Sequence, residues 1–292
     1  MKIAIDARPL ITRQVGGAEQ RARNIMSALA GLKTRHEFRL FYERPEEAEH
    51  FDPSFLMDLP QNFVPEELTG YQFPPRFHMA SRVLNALARA VARADPEVYL
   101  AFTPFVPRIN TCPVVPTIHD VSFELDPVVR RTAAGRYLRR LTTRSVAYAR
   151  RIIAVSSQTK FDTASVYGMN PDYIDVIFNG IDPVFTPTVD LPMRAKVHID
   201  NDISGAYVLA VGADIPRRNY ARLLAAMRQL WDGGSRAQWV LAGRDDWKIS
   251  NVYHSAREGG VLAKMRFVHS PSNGELAELY RGASLTCCAS SF

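Results

Sequence analysis

Val211-Gly212-Ala213-Asp214-Ile215-Pro216-Arg217-Arg218-Asn219 reads as the exit of a buried strand into a short loop and then a helix. The strand is the apolar run Tyr207 to Val211, closed by Gly212. The helix opens at Asn219, whose side chain can cap it. Leu223, Leu224, Met227, Leu230 and Trp231 follow at helical spacing on one face. Strand, glycine, loop and helix together form the βα step from which doubly wound parallel sheets are built.

The step recurs in both directions. Downstream, Gln238 to Ala242, Arg266 to Val268 and Leu285 to Cys288 are strand candidates, the last read as a buried strand. Ser272 to Ala283 is a helix with a capping box, Ser272 with Glu275. Upstream, residues 183–204 carry Pro183, Pro187 and Pro192 in a polar stretch that predicts a linker. Before it a second βα series runs from the first residue. Strands are predicted at Lys2 to Ala7, Glu37 to Tyr42, Val98 to Phe102, Val114 to Ile118, Arg151 to Val155 and Ile174 to Phe178. Helices are predicted after Gly17, over Phe77 to Ala94, over Asp126 to Arg150 and over Ser157 to Tyr167. Residues 44–74 are acidic and proline-bearing and read as loop with one short helix. The fold class is therefore α/β, with two doubly wound domains: residues 1–182, the linker 183–204, and residues 205–292. The last stretch offers too few strands for a domain as large as the first, so the second domain is expected to be incomplete.

Bulk properties narrow the function classes. Of 292 residues, 47% are apolar and 23% charged, which excludes disorder as the main state. The net charge of +6 favours anionic partners. Cys112, Cys287 and Cys288 form neither a disulfide framework nor a zinc pattern, so a reducing compartment is expected. Asp6 and Arg8 interrupt the first apolar run, which is no secretory leader, and no apolar stretch is long enough to span a membrane. The expectation is a cytoplasmic protein.

Four places could carry chemistry. At 211–219, two arginines sit between a strand end and a helix start, where backbone N–H groups and the helix dipole favour an anion. Arg217 and Arg218 can each grip phosphate oxygens bidentately, although the spacing alone also fits two solvated loop arginines. His119 and Asp120 end the strand Val114 to Ile118, where a histidine could meet a substrate hydroxyl; a structural pair is the alternative. Gly16-Gly17 follows the first strand without the Gly-x-Gly-x-x-Gly fingerprint, leaving a bare loop or an ordinary turn. Asn179-Gly180 reads first as a turn.

Asp200-Asn201-Asp202 matches an Asp-x-Asp metal pattern but falls in the expected linker, so no metal site is assigned. Residues 126–151 hold eight arginines, from Arg130 to Arg151, readable as a solvated face or as one drawn to an anionic membrane surface. Aromatic side chains are not interleaved with these charges, and no nucleic-acid module is seen.

Taken in order, seven segments resemble the retaining GT-B glycosyltransferases, specifically the large family 4 that uses nucleotide sugars. They are Gly-Gly-Ala-Glu at 16–19, Thr-Ile-His-Asp at 117–120, Ala-Val-Ser at 154–156, Val-Ile-Phe-Asn-Gly-Ile-Asp at 176–182, the 211–219 stretch, Val-Leu-Ala-Gly-Arg at 240–244 and Glu-Leu-Ala-Glu-Leu-Tyr-Arg-Gly-Ala at 275–283. The resemblance implies two Rossmann-like domains facing a cleft. It implies transfer of a hexose, mannose-like, from a nucleotide-diphosphate sugar to a glycan or lipid-linked acceptor with retention, without a metal or other cofactor.

By the same resemblance Gly17 lies beside the donor diphosphate, and His119, with Asp120, lies at the donor sugar. Arg218 stands where the family usually has lysine and neutralises the leaving diphosphate, supported by Arg217 and Asn219. Gly16, Asn179, Gly180 and Gly212 line the cleft. Peripheral contact with the inner membrane face is an expected partner interaction. The family's two downstream glutamates fall beyond Phe292, so the chain as given is expected to be truncated and inactive. A non-catalytic fragment that at most binds a nucleoside diphosphate, or an NAD-type Rossmann enzyme, are the alternatives.

Overall fold

The computed structural model describes residues 1–12, 17–44, 51–68, 79–243 and 247–291. The chain divides into two compact units, Met1–Gly180 and Ile181–Phe292.

The first unit holds β1 (Lys2–Asp6), α1 (Gly17–Gly31), β2 (Glu37–Tyr42), α2 (Ser54–Met57), β3 (Phe63–Glu67), α3 (Met79–Ala94), β4 (Val98–Ala101) and β5 (Val114–Ile118). It continues through α4 (Ser122–Leu125), α5 (Pro127–Arg131), α6 (Ala133–Tyr148), β6 (Ile152–Ala154), α7 (Ser157–Tyr167) and β7 (Ile174–Val176). All seven strands pair in parallel in the order β3-β2-β1-β4-β5-β6-β7. The order reverses direction between β1 and β4, which marks the topological switch point. Side chains alternate across the sheet. Ile5 and Leu40 pack with Met26 of α1 on one face, while Ala4, Phe41 and Tyr99 pack with Leu87 and Val91 of α3 on the other. Strands buried on both faces explain the near-continuous apolar runs.

Two departures from the sequence expectations stand out here. Residues 44–74 contain the strand β3 as well as the short helix α2. Pro65 and Glu66-Glu67 hid it, because both are tolerated only where a strand has a free side; β3 lies at the sheet's edge, and Arg39 of β2 bonds Glu66 at 2.6 Å. The expected long helix 126–150 is instead two helices, α5 and α6. Asp126 caps α5, accepting from the Val128 amide at 2.8 Å, and Thr132, in extended conformation, caps α6 by accepting from Gly135 at 2.9 Å. A Cβ on Gly135 would lie 2.0 Å from the Val129 carbonyl oxygen, so the tight joint depends on glycine.

The second unit holds α8 (Leu191–Asp200), β8 (Tyr207–Val211), α9 (Tyr220–Asp232), β9 (Gln238–Gly243), α10 (Asn251–Glu258), β10 (Met265–His269), α11 (Asn273–Gly282) and β11 (Leu285–Thr286). Its four parallel strands run β10-β9-β8-β11, with the switch point between β8 and β11. Trp239 and Leu241 pack with residues of α9 and α10 on one face; Leu209 and Val240 pack with residues of α8 and α11 on the other.

The stretch expected to be a linker thus contains a ten-residue helix. Pro192 sits in the first turn of α8, where its missing N–H costs nothing, and Asp190 caps the helix by accepting from Met193. Val197 of α8 is buried in the second unit's core. Beneath it the fully buried Glu278 accepts from the Asp190 amide at 2.9 Å and pairs with Arg194 at 3.0 Å and with Arg281. The capping box of α11, Ser272 with Glu275, is present. The last strand is two residues, Leu285 and Thr286; both are exposed rather than buried, since β11 occupies the sheet's edge. Asn179-Gly180 forms no turn, and the chain leaves β7 without one. Among the described residues no helix is long and apolar enough to cross a membrane.

Candidate active site

In the second unit, β8 delivers its loop to the switch point. Gly212 has φ +124°, a conformation open to glycine, and a Cβ there would stand 3.1 Å from the Arg218 guanidinium. Arg218 therefore lies across the bare backbone at the strand's exit. The Gly212 amide donates to Ala242 at 2.8 Å, and the Tyr220 hydroxyl donates to the Gly212 carbonyl at 2.9 Å, fixing the exit between β8, β9 and α9. Pro216–Arg218 form one 3-10 turn, with the Arg218 amide donating to Ile215 at 2.9 Å.

Asn219 does not cap α9 with its side chain. It adopts the left-handed conformation at φ 57°, and its carbonyl accepts from Arg222 and Leu223. Asparagine tolerates that conformation well, so the residue ends one turn and starts the next by backbone geometry. Neither Arg217 nor Arg218 pairs with a carboxylate among the described residues, and Nε of Arg218 is buried without a partner. Opposite, Cys288 follows β11 with Sγ 4.0 Å from Nη1 of Arg218. Ser290 hydrogen bonds, with Arg218 adding to them, draw the Cys288 thiol below its ordinary range. The Ser291 amide donates to the Arg217 carbonyl at 2.9 Å. Two uncompensated cations thus sit at the carboxyl edge of the second sheet, where open α/β sheets bind ligands.

In the first unit, His119 leaves β5 at the carboxyl edge of that unit's own sheet. Its Nε2 is 2.9 Å from the Phe102 carbonyl. A carbonyl only accepts, so Nε2–H donates and Nδ1 of the neutral ring is an acceptor. Burial lowers the His119 pKa; the Phe102 hydrogen bond opposes this in part, and the charge of Arg21 lowers it further. Asp120 is exposed, and its Oδ1 accepts from the Ser122 amide at 2.9 Å and hydroxyl at 2.6 Å, which starts α4. Gly17 opens α1 with nothing within 4 Å of where a Cβ would be, as does Gly180 beyond β7. Gly16 lies outside the described residues. Arg21 joins these segments: its Nη2 reaches the Ile177 carbonyl, two residues before Asn179, at 3.5 Å.

Beside them, at the β1/β4 switch point, Asp6, Arg8, Thr103, Phe105, Tyr137 and Leu141 line a crevice of about 260 Å³. Asp6 holds Arg8 through two hydrogen bonds, at 2.8 and 2.5 Å. A larger crevice, of about 430 Å³, has Lys2 at the opposite, amino end of β1 in its wall. The Asp200–Asp202 pair is consumed locally: Asp200 bonds Lys196 at 2.9 Å and Asp202 bonds Arg266 at 2.6 Å.

The model of Glycosyltransferase Family 4 matches residues 15–185, more than half of the chain. The chain belongs to glycosyltransferase family 4. Among solved structures this glycosyltransferase-family chain is similar to HepE of Anabaena in complex with UDP and glucose, with TM-score 0.66 and 18% identity over 100% of this chain and 75% of that one. It is equally similar to WaaG, described as a glycosyltransferase involved in lipopolysaccharide biosynthesis, with TM-score 0.67 and 16% identity over 100% and 75%. At such identities these likenesses speak for the fold: α/β, parallel-sheeted, of the Rossmann-like GT-B type. A curated relative, the serotype-specific mannosyltransferase WbdA of Escherichia coli, is 26% identical over 143 residues. That match spans 46% of this chain and 18% of the relative.

Proposed function

We propose that this chain carries the machinery for transferring a hexosyl unit, mannose-like, from a nucleotide-diphosphate sugar to a glycan or lipid-linked acceptor, with retention of configuration. The observation that carries the reading is the pair Arg217–Arg218 at the β8 exit, two cations without carboxylate partners among the described residues, beside the start of α9. Breaking a glycosyl–phosphate bond leaves negative charge on the departing diphosphate. Arginines fixed in place stabilise that charge without reorganising, the role a metal fills elsewhere. Arg218 would hold the diphosphate with Arg217, and Gly17 and Gly212 would let phosphates approach bare backbone. His119 would accept a hydrogen bond from a sugar hydroxyl through Nδ1, and Asp120 would keep the start of α4 in register beside it.

Family membership supports the reaction class. The mannosyltransferase name of the Escherichia coli relative supports the sugar, and a UDP-bound neighbour supports the donor class. The crevice lined by Arg8, Phe105 and Tyr137 suits an acceptor glycan: a part-exposed guanidinium for hydroxyls and rings for a sugar face. Contact with the cytoplasmic face of an anionic membrane would come from α6, where Arg136, Arg140 and Arg144 recur every four residues without carboxylate partners among the described residues. Calorimetric titration with UDP and GDP, then turnover assays with the matching nucleotide sugars, test the proposal. Arg218→Ala should weaken nucleoside diphosphate binding about tenfold or more, the scale of lost charge-assisted hydrogen bonds. Undiminished affinity in the folded variant would refute it.

A further inference from the structure

Arg21 is a cation inside the first unit with no carboxylate partner among the described residues. The residue is only 5% exposed. Among the described residues its Nε has no hydrogen-bond partner, and its bond to the Ile177 carbonyl is stretched to 3.5 Å. No carboxylate among the described residues pairs with it, and burial alone accounts for its lowered pKa. The part-buried Arg8, Arg194 and Arg281 differ in meeting carboxylates: Arg8 is clasped by Asp6, and Arg194 and Arg281 share Glu278. A buried guanidinium left unpaired is expensive, and a fold keeps one where a ligand completes it.

Its position says what kind of ligand. Arg21 lies on the second turn of α1, four residues beyond the open Gly17. It reaches toward the β7 exit at Ile177, and its charge acts on His119 at the β5 exit. The guanidinium offers only donors and a full positive charge, whereas neutral His119 offers an acceptor at Nδ1. Such a combination suits an oxyanion with a hydroxyl near it.

We propose that Arg21 is the core of a second oxyanion subsite, in the first unit, which takes a phosphoryl group of a substrate while His119 accepts from an adjoining hydroxyl. The subsite is built from residues of the first unit, whereas Arg217 and Arg218 belong to the second, and it does not depend on the reaction proposed above.

Thermal unfolding of the 292-residue chain in inorganic phosphate, against chloride of equal ionic strength, tests it. In phosphate-free buffer Arg21→Met should melt at or above the wild type, because an apolar chain of similar length replaces an uncompensated charge. A lower melting temperature would mean that Arg21 is a structural cation, and would overturn the proposal. In the R217A/R218A background phosphate should still raise Tm, and adding Arg21→Met should abolish the rise. No rise, or a rise that survives Arg21→Met, overturns it. Arg21→Lys, which keeps the charge but not the fork, should raise the half-saturating phosphate concentration about tenfold; an unchanged value overturns it as well. UDP, GDP and glycerol 3-phosphate in the R217A/R218A background identify the source. Tighter saturation by the diphosphates marks the donor, and by the monoester another substrate; saturation by none of them counts against the subsite. The Arg218→Ala titration tests the reaction on other residues, so either idea can fail alone.

Discussion

The Arg218 guanidinium lies 3.1 Å from the point where a Cβ on Gly212 would be. The strand exit and the cation are therefore one device: only a residue with no side chain, at φ +124°, leaves the arginine its place. Gly212→Ala should push Arg218 aside and strain the backbone. Nucleoside diphosphate affinity should fall about tenfold, as for loss of the charge-assisted bonds themselves, with the helical circular dichroism unchanged. Affinity equal to the wild type would uncouple the two residues.

His119 should titrate below 6.5, its ordinary value, because burial and then Arg21 oppose its charge more than the Phe102 carbonyl favours it. The unfolded chain therefore takes up this proton first as the pH falls. Stability from this group is complete above 6.5, drops below it, and levels off once the folded-state midpoint is passed. NMR titration of the His119 ring checks the midpoint, and Arg21→Met should move it upward. A midpoint at or above 6.5 contradicts this account. In a turnover assay His119→Ala should reduce kcat/KM by roughly 10²-fold, the scale of one positioned side chain in the transition state.

Glu278 anchors α8 to α11. Burial alone would raise its carboxyl, but the Asp190 amide and then Arg281 and Arg194 more than offset this and hold it below the ordinary range. Its contribution is present above the unfolded value near 4.5 and fades as the pH falls through the lower folded value. Glu278→Gln leaves two guanidiniums underpaired and should cost about 3–5 kcal/mol at pH 7. Urea denaturation at pH 7 and at acid pH measures it, with the gap between variant and wild type narrowing at the acid end.

At the α5–α6 joint, Gly135→Ala has no room: the new methyl would meet the Val129 carbonyl oxygen at 2.0 Å. Overpacking against backbone should cost about 1–3 kcal/mol, read as a lower Tm. An unchanged Tm would show that the joint gives way cheaply.

Much of this was legible because buried parallel strands announce themselves. Tyr207 to Val211 and Val114 to Ile118 are apolar on both faces and bounded by breakers, and both ends fell where expected. Elements that depend on their neighbours were not legible. Pro65 is admissible only because β3 is an edge, and Pro192 is a helix opener only because Asp190 caps it; either proline alone argues for a break. The arginine-rich run from 126 gave no sign that Thr132 would turn outward.

The site divided in the same way. Gly212 and Arg218 are neighbours in sequence as well as in space, so their pairing could be inferred. Arg21 was overlooked although a signal existed: it falls among Ala18, Ala22 and Ile25 on the inward stripe of α1, where a charge is out of place. Its partners come from residues about one hundred and more positions away, which no local pattern reports.

Pro65 has one further effect. At the margin of the first sheet it removes an N–H from the row that another strand would have to bind, and Glu66 and Glu67 follow it there. A seven-stranded sheet with an unprotected rim is a template on which a second copy could be stitched. This rim refuses the stitch at its middle residue, so the same proline that obscured the strand works against a second copy zipping onto it.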